Sequence, residues 1–145
     1  MSILIVDDFE EQREMLAVTL KAAGYRSLLF AESAAEALKC LGVGADARPS
    51  DRVDVVLMDL LMPDMDGLEA CRRIRSEERL EHLPVIVVTA KTDASDLTAA
   101  YTAGATDYIR KPVIPAELVA RVSMAMSLKE EYDNREERER ELVAK

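Results

Sequence analysis

The sequence has no tryptophan, and aromatics make up only 4% of its 145 residues. A core built from this chain must therefore be aliphatic. The two cysteines, Cys40 and Cys71, have no CxxC spacing, which excludes a disulfide framework and the usual cysteine metal motifs. Both read as small core or boundary residues. No apolar run reaches the roughly 18–20 residues that a membrane-spanning helix needs. A strand-like run begins at Ile3 where a leader peptide would stand, so a cytoplasmic location is expected. Basic residues are short: 19 against 28 acidic residues leave a net charge of −9 and a pI near 4.7. That excludes a nucleic-acid backbone or an anionic membrane surface as the natural partner of this chain alone.

What is present alternates. Apolar runs of strand length alternate with segments of helical period. Strands are expected at residues 3–6, 27–31, 54–58, 85–88 and 106–110. Helices are expected at 10–23, 33–41, 68–76 and 94–103, with a last helix opening at Pro115. Gly24 and Gly104 close the first and fourth helices, and Ser33 has the chemistry of an N-cap. "GVGADARPSDR" reads as a loop and "MPDMDG" as a turn, in which Asp64 and Asp66 serve the turn or the next helix cap. The runs from Ile3, Asp54 and Val85 lack polar alternation, as strands covered on both faces do. Repeated βα units with such strands imply a doubly wound five-stranded parallel α/β sheet with helices on both faces. Ligands then sit beyond the C-terminal strand ends.

The residues at those ends carry the chemistry. Asp7 and Asp8 follow the first strand, Asp59 the third, Thr89 the fourth and Lys111 the fifth. A parallel sheet gathers them on one edge. Clustered carboxylates repel one another and favour a hard divalent cation, and Mg²⁺ suits few carboxylates, several waters and a phosphate oxygen. An aspartate can serve as a nucleophile toward phosphorus, with metal and lysine spreading positive charge over the phosphoryl oxygens.

"IVDD", "LMDLLMPDMDG", "VVTA" and "DYIRKP", in that order, resemble the response-regulator receiver domain of two-component signalling, over about residues 3–127. The resemblance implies a flavodoxin-like strand order, 2-1-3-4-5, and this chain adds an extended C-terminal helix to it. It implies that Asp59 accepts a phosphoryl group from a sensor histidine kinase or phosphotransfer protein. Asp8, Asp59 and the Leu61 carbonyl would bind Mg²⁺ directly, and Asp7 largely through a water. Thr89 and Tyr108 match the switch pair, and Lys111 the phosphoryl-contacting lysine, with a cis bond to Pro112. The responsive surface would be the fourth helix, fifth strand and fifth helix. Leu61 and Lys91 would flank the path of the hydrolysing water, and an apolar Leu61 cannot orient it, so slow hydrolysis is expected.

Other readings stand beside this one. An aspartate-nucleophile phosphatase of related topology usually carries DxD where this chain has adjacent aspartates. A flavin site would need a phosphate-cradling loop where "DDFEEQ" stands. A degenerate receiver would act only as a protein-binding platform. His82, the single histidine, reads as a solvated loop residue, and the methionines of "LMDLLM" as packing.

The domain reading is a receiver at residues 1–127 and a helical extension at 128–145, a linker to an effector domain that the chain lacks. No Gly or Pro interrupts the sequence from Ala116 onward. Leu118, Val119, Val122 and Met126 would bury against the sheet, with packing ending after Ser127. Ala125, Leu128, Tyr132, Arg135, Glu139 and Leu142 follow the spacing of a coiled-coil seam. A homodimer through this helix is expected.

Overall fold

In the computed structural model, residues 1–44, 52–63, 65–90 and 93–144 are described. Asp64, Lys91 and most of the "GVGADARPSDR" loop lie outside these residues. The elements run β1 (Ser2–Val6), α1 (Glu10–Ala22), β2 (Ser27–Ala31), α2 (Ala34–Leu41), β3 (Val55–Asp59) and α3 (Gly67–Arg75), then β4 (Val85–Thr89), α4 (Ala94–Ala103), β5 (Asp107–Arg110) and α5 (Pro115–Ala144). The five strands pair in parallel in the order β2-β1-β3-β4-β5, the flavodoxin-like arrangement expected.

Strand ends differ from the sequence reading by a residue, where ladder pairing begins or stops. The third strand starts at Val55 rather than Asp54 and includes Asp59. A single 3₁₀ turn at Glu78–Leu80 has no periodic signature and was not expected. Ser33 caps α2 by accepting the Glu36 N–H, and Asp66 caps α3 by accepting that of Glu69.

The three apolar runs form the sheet centre, and successive side chains go to opposite faces. Leu4, Val6, Val56, Met58, Val85 and Val87 pack beneath α2, α3 and α4. Ile3, Ile5, Val55, Leu57, Ile86 and Val88 pack against α1 and α5. Both strand faces are dry, which is why no alternation shows in sequence. The edge strands β2 and β5 are partly exposed.

α5 runs unbroken through 30 residues. Its buried stripe does not stop at Ser127 as expected. After Leu118, Val122, Ala125 and Met126, the half-buried residues Lys129, Tyr132, Asp133 and Glu136 continue the same helical face. Asp54, His82 and Arg52 receive Lys129, Tyr132 and Asp133 respectively, a match that apolar periodicity does not report. His82 is likewise not simply solvated: its ring stacks on Tyr132, with centroids 3.8 Å apart.

Candidate functional site

Parallel register brings the C-terminal ends of β1, β3, β4 and β5 to one edge. Asp59 is the last residue of β3 and only 4% exposed, and Asp7, just past β1, is 1% exposed. Asp7, Asp8 and Asp59 each place a carboxylate oxygen within 4.8 Å of the others. Lys111, just past β5, puts Nζ 3.3 Å from Asp7 Oδ2 and 3.3 Å from Asp59 Oδ2. Its backbone N–H donates to the Thr89 carbonyl at 2.9 Å, which ties the lysine to the end of β4. Thr89 itself is buried. The Lys111–Pro112 peptide is cis, as expected.

Backbone donors hold the acids in place. The Leu61 N–H donates to Asp59 Oδ1 at 3.2 Å, and the Phe9 N–H to Asp7 Oδ1 at 3.0 Å. Burial pushes the Asp59 carboxyl above the ordinary aspartate range. The Lys111 ammonium and the Leu61 N–H pull the other way, and Asp7 adds to the rise. Three carboxylates stand against one ammonium, a formal charge of −2 in the pocket.

Asp8 Oδ1 is buried and has no hydrogen-bond partner among the described residues. A buried, unsatisfied oxygen is costly. A hard divalent cation answers both features, the charge of −2 and the orphaned oxygen. The donor set therefore fits Mg²⁺.

Asp7, Asp8, Asp59, Leu61, Thr89 and Lys111 lie at or just beyond this edge, whereas Tyr108 is two residues before the end of β5, level with Val87. Leu61 presents its side chain half exposed at the rim. Tyr108 is on β5 with its ring edge-on to Tyr101, centroids 6.2 Å apart. The Arg121 guanidinium lies 6.0 Å from the Tyr108 ring centre and pairs with both oxygens of Asp107 at 2.8 Å. Three contributors were missed. Arg13, on α1, donates to the Asp7 carbonyl at 2.7 Å and so steadies the acidic turn. Tyr101 and Arg121 frame Tyr108. Their spacing from the site in sequence leaves no local signal.

Gly67 has a packing role that "MPDMDG" hides. A Cβ there would lie 2.5 Å from the Asp59 carbonyl oxygen, so the start of α3 presses directly on the Asp59 backbone. Only glycine permits that approach.

Comparison with known proteins agrees with this geometry. The response regulator receiver domain family matches residues 3–123. The transcriptional regulatory protein GltR of Pseudomonas aeruginosa is 37% identical over 124 residues, covering 83% of this chain and 47% of GltR. The response regulator MprA of Mycolicibacterium vanbaalenii is 42% identical over 120 residues, covering 83% of this chain and 48% of MprA. This chain thus spans about half the length of those relatives. A crystal structure of a response regulator from Chloroflexus aurantiacus superposes with a TM-score of 0.78 at 36% identity, covering 87% of this chain and 97% of that one. The chemotaxis response regulator CheY4 of Vibrio cholerae superposes at 0.74 with 29% identity, covering 86% and 97%. With the acid cluster, its lysine and the 2-1-3-4-5 sheet all in place, the chain belongs to the response-regulator receiver family.

Proposed function

We propose that this domain is a Mg²⁺-dependent phosphorylation switch, with Asp59 as the acceptor. The observation that carries the reading is the joint approach of Lys111 to Asp59 and Asp7 beside the partnerless Asp8 oxygen. An Asp59 oxygen attacks the phosphorus of a phosphohistidine on a sensor kinase or phosphotransfer protein. The P–O bond forms as the P–N bond breaks, and the imidazole leaves with the electron pair. Asp7, Asp8, Asp59 and the Leu61 carbonyl would hold Mg²⁺, whose charge when bound offsets the carboxylates and the incoming phosphoryl oxygens. Lys111 gives up its contact with Asp59 and takes a phosphoryl oxygen instead, while Thr89 donates its hydroxyl proton to another. His82 is not the donor, because it precedes β4 and lies at the opposite edge of the sheet from Asp59.

Thr89 and Tyr108 form the switch. Movement of the hydroxyl toward the phosphoryl group makes room for the aromatic ring to turn inward, altering the α4-β5-α5 surface. The output travels through α5, by parallel pairing with a second copy, to an effector beyond a receiver of residues 1–127. Leu61 offers no group to orient a hydrolysing water, so the phosphoryl group is long-lived. This is signalling rather than turnover on an external substrate. On this reading the domain works in the cytoplasm, beside its kinase.

Acetyl phosphate with Mg²⁺ tests the acceptor. Intact mass should rise by one phosphoryl group in wild type and not in Asp59→Asn. Equal labelling of the two proteins would remove Asp59 from the role.

A further inference from the structure

The edge of the sheet opposite the acids holds a second polar cluster. Asp54, just before β3, has a fully buried side chain. Its Oδ2 accepts the Ser2 N–H at 2.8 Å, and its Oδ1 accepts Arg52 Nε at 3.0 Å. Lys129 of α5 brings Nζ to 3.8 Å from the same Oδ1. Asp133, one turn further along α5, takes Lys129 Nζ at 2.7 Å and Arg52 Nη2 at 2.7 Å. Each cation thus bridges both acids, in a closed ring of alternating charge. Beside the ring, Tyr132 stacks on His82 with an interplanar angle of 27°.

This arrangement conflicts with helix pairing. Of the six seam positions, Ala125 is 4% exposed and locked in the core, and Tyr132 lies against His82. Arg135 and Glu139 are charged. Only Leu128 and Leu142 remain as exposed apolar seam residues, and they are about 21 Å apart at 1.5 Å per residue. Two isolated leucines do not make a coiled-coil interface, which needs apolar side chains at successive a and d positions.

We propose that the ring and the stack form an autoinhibitory latch: Tyr132 serves either His82 within one chain or the α5 seam with a second copy, and pairing requires the 128–136 arm to leave the body. The inference rests on the pairing reading above. The Arg52–Asp133 pair and the His82–Tyr132 stack are individually modest, because His82, Arg52 and Asp133 are all partly solvated. The more buried Lys129–Asp54 contact is long at 3.8 Å, and Arg52 remains on Asp54 when Lys129 leaves. The latch therefore opens at small cost once a competing partner is present.

The test uses the full chain with His82→Ala and Asp133→Asn combined, which leaves Arg52 and Lys129 on the buried Asp54. Without phosphorylation, hydrogen exchange of backbone amides in the 128–136 arm should speed up at monomer concentrations. Sedimentation should show dimer association tightened by roughly tenfold. Adding Tyr132→Ala should cancel that gain, and Tyr132→Phe should keep it. If exchange speeds up and association does not change, or if exchange itself does not change, the latch is not autoinhibitory. If the latch variants pair tightly while wild type stays monomeric in beryllofluoride, the latch stands and phosphorylation-driven pairing falls.

Discussion

The Nζ of Lys111 lies 3.3 Å from Oδ2 of Asp59, although Asp59 ends β3 and Lys111 follows β5, with β4 between them in the sheet. That ammonium also reaches Asp7 at 3.3 Å, so one cation holds two buried acids together. In the metal-free protein, Lys111→Met leaves both acids facing each other without it. Stability at neutral pH should fall by about 1–3 kcal/mol, read from urea unfolding. A variant as stable as wild type would mean that the ammonium does not offset the acids.

The pH dependence follows from the direction of the Asp59 shift. Its carboxyl is raised above the ordinary value of 3.8, chiefly by burial. The folded protein therefore keeps the Asp59 proton at pH values where the unfolded chain has lost it. The contribution of this group is greatest below the unfolded value and is lost as pH rises through the folded one. Asp59→Asn has no proton to lose. Without Mg²⁺, its stability advantage over wild type should grow with pH across this range and level off above it. A pH-independent difference between the two proteins would contradict the assigned shift.

Mg²⁺ should stabilise the fold by mass action, by about 2.7 kcal/mol at a hundredfold excess over its dissociation constant. Asp8→Asn removes a charge from the cluster and a donor from the site. It should raise the metal-free melting temperature and abolish the Mg²⁺ response. Thermal melts with Mg²⁺ and with EDTA separate these effects, and a wild-type melt indifferent to Mg²⁺ would argue against the site.

Gly67→Ala places a methyl group against backbone rather than against a flexible side chain, since the nearest atoms are the Asp59 carbonyl oxygen and the Leu60 Cα. Overpacking of this kind costs about 1–3 kcal/mol. The upper part of that range is expected, because neither backbone atom can move without disturbing Asp59. Urea denaturation gives the loss directly. An unperturbed variant would show that α3 can shift away at no cost.

Cys71 is fully buried, and burial pushes its thiol up to about 11. Iodoacetamide should therefore leave it untouched in the native state, since the thiolate is the reactive form. Cys40 is half-buried and should react first. Mass spectrometry of the partly alkylated protein would locate the label, and early modification of Cys71 would show that α3 opens readily.

Much of the site was legible because its residues sit at strand ends. An unalternating apolar run marks a buried strand, and the next polar residue marks its end. Asp7, Asp8, Asp59 and Thr89 announce themselves this way, while Lys111 follows the short, partly polar edge strand β5 and is marked by the "DYIRKP" motif. Arg13 does not: it lies inside an ordinary amphipathic helix, and its role comes from reaching the Asp7 carbonyl. Gly67 reads as a turn residue, and the close approach that demands glycine exists only once α3 lies against β3.

The order of strands and α-helices, the buried central strands, the Ser33 cap and most of the residues brought to the acidic edge could be read from the chain alone. These depend on hydrogen bonding and hydrophobic periodicity within short windows, which any local stretch of chain carries. The choice of Asp66 as the α3 cap came instead from its hydrogen bond with the Glu69 N–H. How far α5 is docked depends on the folded chain. Arg52 and Asp133 are 81 positions apart, and nothing near either residue specifies the other. The expectation that packing ends at Ser127 followed apolar residues alone, and the docking beyond it is made of charge and aromatic stacking. Such contacts depend on distance and direction in the folded chain, so they exist only after the sheet has closed and set the course of the last helix.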